Sequence, residues 1–313
     1  MIQVTISKKS PLTQNICRLN LSATDGSQLP KATPGSHIDV HLPNDIIRQY
    51  SLCSEADSSD YEIAVLNEPQ GRGGSKYVHE NLKVGDTITI SEPKNLFPLS
   101  SDAKNTLLVA AGIGITPILS MAEYLLQQGA NFSLHYCVKS PEQAAYIERI
   151  KNSGLAPHTH FYFSENGRVN LSDVIQTPYD DLHLYVCGPA EFNDAVIACA
   201  SEKNWQAENI HREYFTAAAI DHSDDESFEI EINSTSDIFR VSADESILNV
   251  LEEKGYDIPV ACEEGVCGTC LTGLLAGEAD HKDVFLTDQE HAKMDQITPC
   301  CSRAKSARLK LDL

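Results

Sequence analysis

Four cysteines near the end of the chain have the residue type and spacing of a metal-cluster site. The segment Ala261–Leu271 reads ACEEGVCGTCL, and Cys300 follows the last cysteine of that segment after 29 residues. Three thiolates from one short loop and a fourth from a distant segment are the ligand arrangement of a [2Fe–2S] centre. The array therefore predicts such a cluster on Cys262, Cys267, Cys270 and Cys300.

Two other kinds of site also contain clustered cysteines. A structural zinc site usually pairs two C-x2-C halves, whereas the second half here offers the adjacent Cys300 and Cys301. A group of buried thiols without metal is the second alternative. The glycines at positions 265 and 268 favour the cluster, because they tolerate positive φ and let amides approach inorganic sulfide. Neighbouring side chains in an extended segment point opposite ways, so we expect only one of Cys300 and Cys301 to be a ligand.

A glycine-containing turn at residues 109–118 suggests a nucleotide site. The segment VAAGIGITPI places Gly112 and Gly114 after an apolar strand, and Thr116 and Pro117 at the start of a helical pattern. A helix start presents free amides and a positive dipole end to a pyrophosphate. The third glycine of the usual Rossmann fingerprint is absent, which indicates a different dinucleotide-binding subclass.

A second turn resembles the partner of this one in the ferredoxin–NADP reductase superfamily. There a G-x-G-x-T-P turn and a C-G-P turn face each other across the nicotinamide site, and this chain has Cys187, Gly188 and Pro189 in the second position. The resemblance implies that Cys187 lies near the nicotinamide and takes part in catalysis. As an isolated feature, Cys187 would be a buried structural thiol.

The first hundred residues contain a flavin motif of the same superfamily, R-x-Y-S. Arg48 offers a forked cation for a phosphate, Tyr50 can pack on the flavin ring, and Ser51 can reach a polar ring atom, which makes it a candidate catalytic residue. A following run, GRGGSKYVHE, supplies amides and a hydroxyl to cradle the phosphate at Gly73, Gly74 and Ser75.

The segment HREYF resembles the superfamily's E-x-F ending, in which the aromatic ring covers the flavin where nicotinamide enters. Phe215 is therefore a candidate catalytic and cofactor-binding residue, and a simple core role for this ring is an equal alternative.

The elements that must position these residues fall into three successive patterns. Six short strands with turn signals predict a small antiparallel β-barrel for flavin at residues 1–102. Alternating strands and helices at 103–216 predict a doubly wound α/β domain for NADH, in which PEQAAYIERI is one of the helices. A polar, acidic stretch at 217–226 is a candidate linker, and a hairpin, a short helix and a final strand at 227–313 belong to an α+β, β-grasp ferredoxin domain.

The order of these domains, together with GEADHKD and PCCSRA around the last cysteines, resembles the phthalate dioxygenase reductase-like family. Within it, vanillate O-demethylase and carnitine monooxygenase reductases are the most similar groups. The resemblance implies FMN rather than FAD, NADH as donor, and Cys300 rather than Cys301 as the fourth ligand. Only Lys139 and Ser140 stand where a 2′-phosphate would bind, which agrees with NADH.

Charge and composition limit the classes of partner that this protein can bind. The net charge of −21 argues against nucleic acid and anionic membranes, and residues 221–313 have 21 acidic against 8 basic side chains, a net of −13. No apolar run reaches the length of a membrane span, and MIQVTISKKS lacks the order of a signal peptide, so we expect a cytoplasmic protein. The predicted function is the reductase component of a two-component Rieske oxygenase. The alternatives are a general reductase for a ferredoxin, cytochrome or quinone, and a carrier module without reductase activity.

Overall fold

The computed structural model describes residues 1–44, 46–54, 58–179, 181–216 and 225–313. Packing divides the chain into two compact units, Met1–Glu213 and Tyr214–Leu313. Most of the predicted linker, residues 217–224, lies outside the described part. The three predicted domain boundaries stay predictions.

The first unit begins with a six-stranded antiparallel sheet of barrel-like form, as the strand pattern predicted. Its strand order is β4-β3-β6-β1-β2-β5. A bridge between Leu52, just after β4, and Ile63 of β5 joins the two outer strands. The strands are β1 (Ile2–Pro11), β2 (Ile16–Ala23), β3 (His37–His41), β4 (Ile47–Ser51), β5 (Tyr61–Leu66) and β6 (Thr87–Ile90).

Alternation along these strands builds the barrel core. Val4 and Ile6 of β1 and Leu19 and Leu21 of β2 have no exposed surface, while residues between them face outward. A short helix, α1 (Gly74–Glu80), follows β5. The sequence analysis did not predict α1, because its glycine-rich start has the composition of a loop.

The remainder of the first unit is a five-stranded parallel sheet with the order β11-β10-β7-β8-β9. The chain runs outward from β7 in one direction through β8 and β9, then crosses to the other side of β7 for β10 and β11. The point between β7 and β10 is therefore the topological switch point, where doubly wound folds bind ligands. The strands are β7 (Asn105–Ala111), β8 (Asn131–Val138), β9 (Thr159–Phe163), β10 (Leu182–Cys187) and β11 (Ile210–Glu213).

Four helices accompany this sheet: α2 (Ile115–Gln127), α3 (Ile147–Lys151), α4 (Leu171–Val174) and α5 (Ala190–Glu202). The prediction of one helix over PEQAAYIERI is wrong. A 3₁₀ turn at Pro141–Gln143 precedes α3, and Tyr146 between them adopts φ of 60°. Tyr146 is buried at the break, and Arg149 of α3 forms an ion pair with Glu62 of the barrel, with an N–O distance of 2.9 Å.

The second unit is a mixed sheet with a helix packed against it, the predicted β-grasp arrangement. The sheet order is β13-β12-β18-β14-β16, with β12 and β18 parallel. Four apolar residues of α6 are buried in the core of this unit. The elements are β12 (Phe228–Ile232), β13 (Ile238–Val241), α6 (Ile247–Glu253), β14 (Thr272–Ala276), β15 (Ala279–Asp280), α7 (Asp288–Lys293), β16 (Gln296–Ile297), β17 (Arg303–Ala304) and β18 (Arg308–Asp312). β15 and β17 pair as a separate two-stranded sheet.

Candidate functional site

The predicted flavin residues Arg48, Tyr50 and Ser51 lie on β4, the strand at one end of the barrel sheet. Arg48 and Tyr50 are two residues apart, so both project from the same face, and both are half-buried. Tyr50 packs against the barrel core, and desolvation raises the pKa of its hydroxyl. Ser51 is buried and pairs with His37 of β3. The strand thus presents a cation and a ring side by side.

The glycine run after β5 lies against the Arg48 side chain. A Cβ atom on Gly74 would meet Arg48 Cγ at 2.7 Å and Nε at 2.9 Å, so a larger residue there would displace the Arg48 side chain. Gly73 has φ of 86° and precedes the first turn of α1. Ser75 Oγ accepts a hydrogen bond from Glu68 N at 3.0 Å and keeps its own proton to donate. These residues fit an anionic group beside Arg48.

The two predicted nucleotide turns touch each other at the switch point. A Cβ atom on Gly114 would lie 2.2 Å from Cys187 O and 2.7 Å from Gly188 N. Reciprocally, a Cβ on Gly188 would lie 2.8 Å from Cβ of Ala111, at the end of β7. The register agrees, because Cys187 of β10 pairs with Ala110 of β7. The carboxyl ends of β7 and β10 therefore form one continuous backbone surface.

The helix after the first turn starts as the sequence indicated. Gly112 has φ of 55° and begins a 3₁₀ turn that runs into α2 at Ile115. Thr116 and Pro117 are both buried in the first turn of α2, and Thr116 Oγ1 donates a hydrogen bond to Ile113 O. The hydroxyl of Thr116 thus fixes the turn. The amides at the start of this 13-residue helix are those that suit a pyrophosphate.

Cys187 has a partner that the sequence analysis did not single out. Its Sγ donates to Glu213 Oε2 at 3.9 Å, and the two residues are in register on β10 and β11. Burial, with the nearby Glu213, raises the pKa of the Cys187 thiol well above its usual range. Glu213 has some exposed surface, yet desolvation of its carboxyl raises the pKa to about 8. Pro189 directly precedes α5.

Phe215 stands two residues after β11, at the start of the second unit, and is half-buried. Its predicted place over the flavin stays a prediction.

The four predicted cluster ligands lie together as two pairs of interacting thiols. Cys262 donates to Cys267, and Cys300 donates to Cys270, which lowers the pKa of each acceptor thiol. A [2Fe–2S] centre needs two thiolates for each of its two irons, and two thiol pairs match that requirement. The donor set therefore fits the predicted cluster.

The segment of the fourth ligand is a turn at residues 299–301 and is not extended, contrary to our assumption. Cys301 N donates to Thr298 O, and the turn brings the thiols of Cys300 and Cys301 within hydrogen-bonding distance of each other. Cys300 forms a side-chain hydrogen bond with Cys270, whereas Cys301 influences Cys270 only through charge. Cys301 instead packs on the first loop, since a Cβ on Gly265 would lie 2.5 Å from its Sγ.

Two glycines of the first loop are required by close packing. Gly265 and Gly268 have φ of 72° and 65°. A Cβ on Gly268 would lie 2.3 Å from the ring of Phe285, and one on Gly265 would lie 2.9 Å from Asp283 Cα. The segment after β15 therefore covers the cysteine loop at both glycines. The motif GEADHKD, which ends at Asp283, gave no indication of this packing role.

Among the described residues, the structure has no helix that is both long and apolar enough to span a membrane. Three features together define the class of this protein. They are the flavin-type barrel, the dinucleotide sheet with two turns in contact at its switch point, and the two thiol pairs. That class is the pyridine-nucleotide oxidoreductases that contain both a flavin and an iron–sulfur cluster.

Comparisons with known proteins agree with this class. Residues 3–98 match the model of the oxidoreductase FAD-binding domain, 108–197 that of the oxidoreductase NAD-binding domain, and 230–305 that of the 2Fe-2S iron-sulfur cluster binding domain. A vanillate O-demethylase oxidoreductase from Pseudomonas sp. is 48% identical, with 100% of both chains covered. A carnitine monooxygenase reductase subunit from Escherichia coli is 39% identical over 100% of this chain and 98% of that one.

The solved structure of phthalate dioxygenase reductase matches with a TM-score of 0.76 and 34% identity, covering 100% of this chain and 98% of the other. The chain belongs to the phthalate dioxygenase reductase-like family of oxygenase reductase components, with flavin-binding, NAD-binding and [2Fe–2S] domains. The predictions of family, fold class and oxidoreductase function are confirmed.

Proposed function

We propose that this protein takes hydride from NADH and delivers single electrons, through FMN and a [2Fe–2S] cluster, to a Rieske oxygenase on a separate chain. The observation that supports this most strongly is the full-length similarity to vanillate O-demethylase oxidoreductase, with all three cofactor domains present. The chemistry that the flavin supplies when bound is the conversion of a two-electron hydride donor into a one-electron source.

FMN rather than FAD is supported by the barrel. Arg48 and the Gly73–Ser75 run form a compact group suited to one phosphate. The sequence contains no additional segment for an adenine half. In this proposal Tyr50 packs on the flavin ring and Ser51 reaches a polar atom of that ring. Phe215 is the proposed aromatic ring over the flavin.

NADH rather than NADPH is supported by the residues after β8. Ser140 is buried, and its hydroxyl donates to Glu142 Oε2 at 2.6 Å, which lowers the pKa of that carboxyl. Glu142 lies just after β8, the second strand of the parallel sheet in chain order. A carboxylate at this place accepts a hydrogen bond from a ribose 2′-hydroxyl but repels a 2′-phosphate. Lys139, the neighbouring cation, is exposed. Cys187, Gly188 and Pro189 then complete the nicotinamide side of the site opposite Gly114.

The four paired thiols are the proposed cluster ligands, with Cys300 as the fourth. The net charge of −13 over residues 221–313 favours a basic face on the oxygenase. An oxygenase acting on an aromatic acid such as vanillate, or on carnitine, is proposed from the relatives. We place the protein in the cytoplasm, since none of the ten cysteines forms a disulfide in the structure.

The test is NADH-driven turnover with purified oxygenase components. We expect coupled product formation with a vanillate O-demethylase or carnitine monooxygenase oxygenase, and rates that fall as ionic strength rises. Reduction of a soluble cytochrome or quinone at equal or higher efficiency, without coupling to either oxygenase, would support the general reductase instead. Rates insensitive to salt would contradict the acidic docking face.

A further inference from the structure

The second unit buries a carboxylate beside the cysteine loop. Asp283 lies between β15 and α7, and its side chain has no exposed surface. A buried carboxylate is costly unless several donors satisfy it. Leu286 N donates to Oδ2 at 2.9 Å, and His291 Nε2 lies 3.3 Å from the same oxygen. The other oxygen, Oδ1, faces the turn that contains the fourth cysteine ligand.

On that side Asp283 binds both ends of the turn. Thr298 Oγ1 donates to Oδ1 at 3.2 Å and Ser302 Oγ at 3.3 Å. These two hydroxyl oxygens also lie 2.8 Å from each other, so they form a ring of contacts with the carboxylate in which the two hydroxyl protons make two hydrogen bonds at a time. Thr298 stands two residues before Cys300, and Ser302 two residues after it. The side chain of Asp283 therefore holds the turn that contains Cys300 in position.

The backbone of the same residue packs on the loop that supplies the other three ligands. A Cβ atom on Gly265, between Cys262 and Cys267, would lie 2.9 Å from Asp283 Cα and 3.0 Å from its Cβ. Val284 N donates a hydrogen bond to Gly265 O at 3.1 Å. One residue thus contacts the first loop through its backbone and the second through its side chain.

The neighbouring histidines do not form a metal site with Asp283, although the three residues are of ligand type. The rings of His281 and His291 are stacked, with centroids 4.2 Å apart and planes 19° from parallel. An imidazole binds a metal through a lone pair in the plane of its ring. Two stacked rings direct these lone pairs along separate, nearly parallel planes, so they cannot converge on one ion. The stack instead covers the carboxylate.

We infer that Asp283 is a positioning residue for the iron–sulfur cluster, fixing the Cys300 turn against the loop of Cys262, Cys267 and Cys270. The inference rests on the proposed cluster ligands. Hydrogen-bonded residues behind a ligand orient it, and their loss typically weakens metal binding by about 10- to 100-fold. Because two halves of the ligand set meet through Asp283, its loss also alters the geometry in which the thiolates meet the irons.

The test compares Asp283→Asn and Ser302→Ala with the matched control Asp280→Asn. Asp280 is only partly buried and pairs with Lys282. The readouts on the full-length protein are iron release to a chelator, the electron paramagnetic resonance spectrum of the reduced cluster, and its reduction potential. We expect about tenfold faster iron release in Asp283→Asn, with a changed spectrum and potential. Asp280→Asn stays at the wild-type values.

The double variant distinguishes positioning from a general loss of stability. Since Ser302 acts through Asp283, we expect the combined variant to release iron no faster than Asp283→Asn alone. Additive effects, or wild-type iron release and spectra in Asp283→Asn, would overturn the inference. If Asp283→Asn does not fold, Thr298→Val and Ser302→Ala each remove one hydroxyl of the same ring, and wild-type spectra in both would overturn it too. No readout needs the oxygenase, so failure of coupling with an oxygenase contradicts the proposed function alone.

Discussion

The thiol of Cys187 faces the carboxyl of Glu213 across two adjacent parallel strands, with Sγ 3.9 Å from Oε2. Burial raises the pKa of both groups, that of Glu213 to about 8. Both groups therefore favour their uncharged forms. The pair lies beside the backbone contact between Gly114 and Gly188, so the proposed nicotinamide site has a neutral wall on this side.

The raised pKa of Glu213 predicts a pH dependence of stability. A carboxyl whose pKa is higher in the folded protein binds more protons there than in the unfolded chain. Its stabilising contribution is present below about pH 4.5 and is lost as the pH rises towards about 8. Glu213→Gln removes this dependence, so we expect the wild-type unfolding free energy to fall relative to the variant by up to about 1 kcal/mol per pH unit in that window. Urea unfolding from pH 5 to 8 measures it, and parallel curves would contradict the prediction.

Cys187 is expected to act in hydride transfer. We predict that Cys187→Ala slows reduction of the flavin by NADH by about tenfold, because the wall beside the nicotinamide loses volume and the donor is less well aligned. Flavin and iron contents should match the wild type. Stopped-flow absorbance is the measurement, and Cys199→Ala, which removes another buried thiol, on helix α5, is the control. An unchanged rate of flavin reduction in Cys187→Ala would show that Cys187 is not a catalytic residue.

The contact between the two nucleotide turns makes Gly114 sensitive to substitution. In Gly114→Ala the new methyl group would lie 2.2 Å from the backbone oxygen of Cys187, so the turns must separate. We expect the KM for NADH to rise by about tenfold or more, with flavin content unchanged. In the control Gly154→Ala, the methyl group meets only the end of the Leu126 side chain, at 3.0 Å. A similar KM in both variants would show that the contact does not shape the NADH site.

Arg48 is expected to determine flavin affinity. We predict that Arg48→Gln weakens FMN binding by about 10- to 100-fold, because charge-assisted hydrogen bonds to a phosphate are lost. Riboflavin, which lacks the phosphate, should bind the variant and the wild type equally. Fluorescence titration of the flavin-free protein measures both ligands. Arg18→Gln is the control, since Arg18 is on β2 and pairs with Glu62. Equal losses for FMN and riboflavin would place Arg48 away from the phosphate.

The sequence patterns predicted the helices and strands more successfully than they predicted the tertiary contacts between them. The six barrel strands, the helix α2 and the C-x4-C-x2-C loop follow from periodicity and spacing, which are local properties. The break at Tyr146 does not, because this buried residue with φ of 60° is fixed by its three-dimensional surroundings, which periodicity does not record. Glu213 and Asp283 were also missed as functional candidates. Each stood in a quoted motif, HREYF or GEADHKD, but their burial beside Cys187 and Gly265 is visible only in three dimensions.

The measurement that tests the central claim most directly is an anaerobic titration of the purified protein with NADH, followed by visible absorbance. We expect the flavin and iron–sulfur bands both to bleach, with an uptake of about three electrons per chain, two by the flavin and one by the cluster. Bleaching of the flavin alone, in protein whose iron content shows an intact cluster, would contradict electron flow from NADH to the cluster on the four cysteines.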